Sequence, residues 1–197
     1  MAKEQSSIMA QRGLIKGFRI FLSGPIDRAD DFGMGWRKTI RKLCRDAELG
    51  VFFFDPTNKP KSMRTESGIE AIMIQEMVRE DKWGEAKAFT KVIRREDLRG
   101  VDWADIVIVN LDIDSRPCGT YDEVFTAYRE SKPVYIIMAG DRTKYDIPSW
   151  LVSYIEGPED IFDNLEDCVE RLIQLDRGEF PFDARFVKIP DEDNFEE

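Results

Sequence analysis

Three carboxylates stand out by position. Asp112, Asp114 and Glu123 follow the apolar, β-branched run Ile106–Leu111, and Glu123 lies at the mouth of a helix expected to start at Thr120 and lead to a second apolar run, Val134–Met138. Continuous apolar runs of this length suit strands buried on both faces. Two strands joined by a helix are normally parallel with a right-handed crossover, so their C-terminal ends face one side of the sheet. Open α/β folds bind ligands on that side. A small-molecule site is therefore expected beside these carboxylates. The 197 residues include no histidine, which excludes Ser-His-Asp and Cys-His catalysis within the chain, together with histidine-bearing metal sites. Cys44, Cys118 and Cys168 are scattered and form no CxxC, which argues against a disulfide framework and a zinc site. Acid–base or nucleophilic work falls to carboxylates, tyrosine or lysine.

The elements that must position these groups can be read from periodicity. Phe18–Ser23 is a first strand, ended by Gly24-Pro25. Residues Met34–Leu49 have helical spacing, with Trp36, Ile40, Leu43 and Ala47 along one face and Gly50 at the C-terminal stop. Val51–Phe54 is a second strand, followed by the turn Asp55-Pro56. Residues 57–84 break the rhythm with a polar loop and an amphipathic helix rich in Met and Ile, the pattern of a lid or a subunit contact. A helix over about 85–100 ends at Gly100. After Met138 a loop leads to a short strand, Leu151–Ile155, and a final helix spans about 163–176. The expected fold is α/β, an open, mostly parallel sheet of about five strands with helices on both faces. Residues 1–17 form an N-terminal arm, 18–177 a single domain and 178–197 a tail.

Bulk composition narrows the partners. The net charge of −10 leaves no basic surplus with which to displace counterions from a nucleic-acid polymer. No apolar run approaches the ~20 residues needed to span a bilayer, and the first residues lack the apolar core of a signal peptide. A cytoplasmic protein with no membrane partner is expected.

Four segments in this order, IFLSGPI at 20–26, REDLRGVDWADIVIVNLD at 95–112, GTYDE at 119–123 and KPVYIIM at 132–138, resemble the nucleoside 2-deoxyribosyltransferase family. The resemblance implies a flavodoxin/Rossmann-like fold and a homo-oligomer. It implies movement of a 2-deoxyribosyl group between nucleobases through a covalent enzyme intermediate, with no metal or organic cofactor. Close relatives of that family hydrolyse the N-glycosidic bond of nucleoside 5′-monophosphates. Carried over by position, the resemblance puts the nucleophilic glutamate at Glu123 and the carboxylate near the leaving base at Asp97. It puts the first-strand loop that contacts nucleophile and sugar at Ser23, Gly24 and Pro25. The chain departs from the family pattern at Pro117, where many members carry an aspartate, at Val124-Phe125 after the glutamate, and in lacking a tyrosine in the first-strand loop.

Each residue also has a plainer reading. Thr120-x-x-Glu123 matches a capping box. Asp97 could be a solvated helix residue paired with Arg94, Arg95 or Arg99. Ser23-Gly24-Pro25 could be a simple turn, Asp112 and Asp114 could merely solvate a loop, and Cys118 could be a packing residue. The functional readings are coherent. A carboxylate next to C1′ can stabilise and trap an oxocarbenium-like sugar, the logic of retaining glycosidases, and a carboxylic acid can supply the leaving base with a proton. Gly24 would let sugar or phosphate approach the backbone. Asp27 and Arg28 follow, with Arg28 suited to a forked contact with a 5′-phosphate and Ser23 to a hydroxyl contact with it. Gly119 and Thr120, beside Glu123, complete the candidate binding set with Asp112 and Asp114. The expected activity is transfer of a 2-deoxyribosyl group. The alternatives are hydrolysis of a 5′-monophosphate and a nucleotide-binding module without turnover.

Overall fold

The computed structural model of the protein describes residues 13–26, 29–59, 63 and 69–182. Its strands are Arg19–Ser23 (β1), Phe52–Phe54 (β2), Ile106–Leu111 (β3), Val134–Met138 (β4) and Ile161–Phe162 (β5). They form one sheet in the order β2-β1-β3-β4-β5, and every pair is parallel. This is the flavodoxin-like, doubly wound arrangement.

Strand alternation sends side chains to two separate cores. Ile20, Leu22, Ile106, Ile108, Tyr135 and Ile137 pack on one face against Ile40 and Cys44 of helix Met34–Asp46 (α1) and Cys168, Val169 and Leu172 of helix Leu165–Asp176 (α5). Phe21, Val107, Val109, Leu111, Ile136 and Met138 pack on the other. That face is covered by Val101 of helix Trp83–Trp103 (α3) and by Val124 and Ala127 of helix Cys118–Arg129 (α4). Burial on both faces accounts for the unbroken apolar runs of β3 and β4. The remaining helix, Ile69–Arg79 (α2), packs on α3 and buries none of its residues fully.

Several elements differ from the sequence reading. Leu151–Ile155 is not a strand: residues Ser149–Tyr154 form a 3-10 helix after Pro148, closed by a bond from the Leu151 amide to the Pro148 carbonyl. The fifth strand is the two-residue Ile161–Phe162, too short to show a period. Gly100 does not end its helix. An added Cβ there would lie 2.7 Å from Phe54 and 2.8 Å from Phe21 ring carbons, so the residue lets α3 approach the sheet closely. Part of the expected arm is docked: Ile15 is fully buried, and the amides of Gly13 and Ile15 donate to the Asp176 carboxylate at 3.0 and 3.2 Å. Residues 1–12, Asp27, Arg28, residues 67–68 and residues 183–197 lie outside the described residues.

Candidate active site

The strand order reverses between β1 and β3, and the crevice outside their C-terminal ends is where such sheets hold ligands. A cavity of about 560 Å³ occupies it. Its floor comes from Gly24, Pro25 and Ile26 after β1 and from Ser115 to Gly119 after β3. Its walls are Glu70, Ala71 and Ile74 of α2, Thr90, Ile93, Arg94, Asp97 and Leu98 of α3, and Thr120, Asp122 and Glu123 of α4.

Glu123 reaches the cavity because α4 starts beyond the C-terminal end of β3, after the turn at Ile113–Ser115. Ser23 follows Phe21 by two residues, so alternation points it to the α3–α4 face, where its fully buried hydroxyl donates to Glu123 Oε2. A donor in that position favours the ionised carboxylate and fixes its direction. The capping box is absent. The helix begins at Cys118, with Pro117 as the residue before it and no side-chain cap, since proline has no polar side chain to accept from the first-turn amides. Thr120 is thus buried inside the first turn, and the Glu123 carboxylate meets Ser23 instead.

The β1 loop is held from behind by a residue that sequence reasoning did not single out. Arg37 of α1 is fully buried, and its guanidinium donates to the carbonyls of Gly33 (2.8 Å), Gly24 (3.0 Å) and Leu22 (3.3 and 3.4 Å). Asp55 lies 3.6 Å from the same guanidinium, so the buried charge is paired as well as hydrogen-bonded. The carbonyls on either side of Ser23 are thereby pinned. Gly24 has its own constraint: a Cβ would lie 3.0 Å from both the Asn110 carbonyl oxygen and Trp36 Cζ2. The glycine is required by crowding within the protein, whereas the sequence reading tied it to a ligand's approach.

Asp97 is buried rather than solvated. Lys59 Nζ lies 2.7 Å from Asp97 Oδ1, with a side chain fully shielded from solvent. Lys59 follows the short turn Pro56–Asn58, which is capped by Asp55 through the Thr57 amide (2.9 Å) and hydroxyl (2.6 Å). Nothing in the sequence marks this lysine as internal. Arg94 pairs instead with Asp122 at 2.6 Å, across the α3–α4 rim of the cavity.

The remaining expected residues divide between cavity and elsewhere. Ser23 spends its hydroxyl on Glu123, so it is not available to a phosphate in this structure. Pro25, Gly119 and Thr120 line the cavity. Asp112 and Asp114 do not: Asp112 accepts from the amides of Asp114 (3.0 Å) and Ser115 (3.3 Å), and Asp114 pairs with Arg142 at 3.1 Å. Both support the turn after β3, as aspartates at strand ends often do. Asp27 and Arg28 lie outside the described residues. Cys118 is exposed on the cavity floor. Among the described residues no group of His, Cys, Asp and Glu side chains could hold a metal ion, and no helix is long and apolar enough to cross a membrane.

No family model and no curated protein matches the chain. Among solved structures, a 2-deoxyribosyltransferase from the psychrotolerant bacterium Bacillus psychrosaccharolyticus is similar at 17% identity and a TM-score of 0.49, over 76% of this chain and 89% of that chain. A conserved protein from Enterococcus faecalis V583 is similar at 18% identity and a TM-score of 0.43, over 81% of this chain and 87% of that chain.

Proposed function

We propose that the protein cleaves the N-glycosidic bond of a 2-deoxyribonucleoside and transfers the deoxyribosyl group to another nucleobase, with Glu123 as the covalent nucleophile. The observation that carries this reading is the Ser23–Glu123 bond at the wall of the switch-point cavity. A hydroxyl donor on that carboxylate favours its charged form and fixes its direction, in a chain with no histidine. As the C1′–N bond breaks, its electron pair leaves with the base and a Glu123 oxygen bonds to C1′. The leaving nitrogen takes up a proton on the side where Asp97 sits. A second base then attacks C1′, loses its proton and frees Glu123. The cavity volume is in the range usual for small-molecule sites.

A second reading, hydrolysis of a nucleoside 5′-monophosphate, has one observation in its favour. Arg116 is exposed on the cavity lining and makes no ion pair with another described residue, so its guanidinium is open to a phosphate. Incubation with 2-deoxynucleosides and their 5′-monophosphates, with and without a second free base, distinguishes the two. A new nucleoside formed only when the second base is present supports transfer. Free sugar phosphate in its absence supports hydrolysis. An unchanged substrate pool would contradict both and leave a binding module.

A further inference from the structure

Transfer between bases poses a proton problem at Asp97. The leaving nitrogen must gain a proton in the first half-reaction, and the incoming base must lose one in the second. An aspartate at its ordinary pKa is ionised near neutral pH and has nothing to give. Here Asp97 is not alone: it lies in the wall, and Lys59 stands behind it, 2.7 Å from Oδ1. Lys59 is not part of the cavity lining and is fully shielded, so it meets the site through Asp97.

Resting on the transferase reading, we propose that Lys59 is a positioning residue that holds Asp97 and stores the proton exchanged between leaving and incoming bases. In the resting pair the carboxylate is charged and the lysine is an ammonium. When the base departs, Asp97 passes one proton to its nitrogen and takes one from Lys59, which becomes a neutral amine. The neutral amine stays beside Asp97 Oδ1, where it can take a proton back. The incoming base returns the proton along the same path, so pair and substrates balance over the cycle without proton exchange with water. Other charged groups surround the pair. Glu96, on Asp97's own helix, lies 4.0 Å from Lys59 Nζ. Glu70 of α2, Arg94 of α3, Asp122 and Glu123 of α4 and Arg116 after β3 face the same cavity.

The test compares two leaving groups. An ordinary purine 2-deoxynucleoside needs a proton to depart, whereas its N7-methylated counterpart already carries the positive charge and departs as a neutral base. Lys59→Arg keeps a cation that cannot give up its proton, and Lys59→Met removes the charge while keeping much of the side-chain volume. Both variants should release the ordinary base about 10²–10⁴-fold more slowly than the parent, the usual share of general acid catalysis. Both should release the N7-methylated base at close to the parent rate. Equal loss on the two substrates in both variants would make Lys59 structural and overturn the proposal. A parent that releases neither base would overturn the transferase reading itself.

Discussion

Ser23→Ala tests the contact that orients Glu123. The substitution removes one hydroxyl from a fully buried position at the end of β1 and fits the same backbone, so it creates no clash. What disappears is the bond to Glu123 Oε2. A hydrogen bond to a charged group is worth roughly 1.5–3 kcal/mol, and each 1.4 kcal/mol is tenfold, so kcat should fall by about 10–150-fold. Stability should change far less, because Glu123 is only partly buried and water can replace the lost donor. Single-turnover release of a purine from its 2-deoxynucleoside reads the rate, and urea denaturation reads the fold. Ser23→Thr should retain more activity than Ser23→Ala, since it keeps the donor. A Ser23→Ala enzyme within about twofold of the parent rate would show that this bond does not prepare the nucleophile, on the scale of charge-assisted bonds.

Other predictions follow from packing and exposure. Native protein should present one thiol to a water-soluble reagent and denatured protein three: Cys118 is exposed, whereas burial pushes the Cys44 thiol up to about 12 and raises that of Cys168 well above its usual range. Modification of Cys118 should block turnover, with a deoxynucleoside protecting it; full activity after labelling would contradict its place in the cavity lining. Gly100→Ala should destabilise the protein, because the added methyl meets the Phe21 and Phe54 rings and overpacking costs about 1–3 kcal/mol, outweighing the ~1 kcal/mol that alanine gains in a helix. A rise in urea midpoint would refute that packing. The apolar face of α2 exposes Ile69 by 58%, Ile72 by 51% and Met73 by 40%, which supports contact with another copy of the chain. Sedimentation should show an oligomer, and a 22.9 kDa monomer at micromolar concentration would remove that support.

What could be read from the chain beforehand follows physical range. The β3–α4–β4 unit was legible because burial on both faces leaves an unbroken apolar run, a signal carried by adjacent residues. Its C-terminal end located Glu123. The partners of that glutamate were not legible in the same way. Ser23 reads as a turn residue and Thr120-x-x-Glu123 reads as a cap, and only the alternation of β1 against α4 brings Ser23 to the carboxylate. Arg37 and Lys59 were missed because a buried cation looks like a surface one in sequence. Their burial depends on carbonyls and a carboxylate from other elements. Leu151–Ile155 misled for the opposite reason: its apolar content is real, but Pro148 starts a 3-10 turn and the paired edge of β4 is taken by Ile161–Phe162. Gly100 has the form of a helix stop, yet its lack of a side chain serves the fit of α3 against two phenylalanine rings.

The central claim is that Glu123 bonds to the sugar. Its most direct test is mass spectrometry of protein quenched during turnover of a 2-deoxynucleoside with no acceptor base, followed by peptide mapping. The expected result is an added mass of one deoxyribosyl unit on the peptide containing Glu123, discharged when a free base is added. Glu123→Gln should fold, since its amide oxygen can still accept from Ser23, and should carry no adduct. Steady base release by the parent without any adduct, or near-parent activity in Glu123→Gln, would contradict the account.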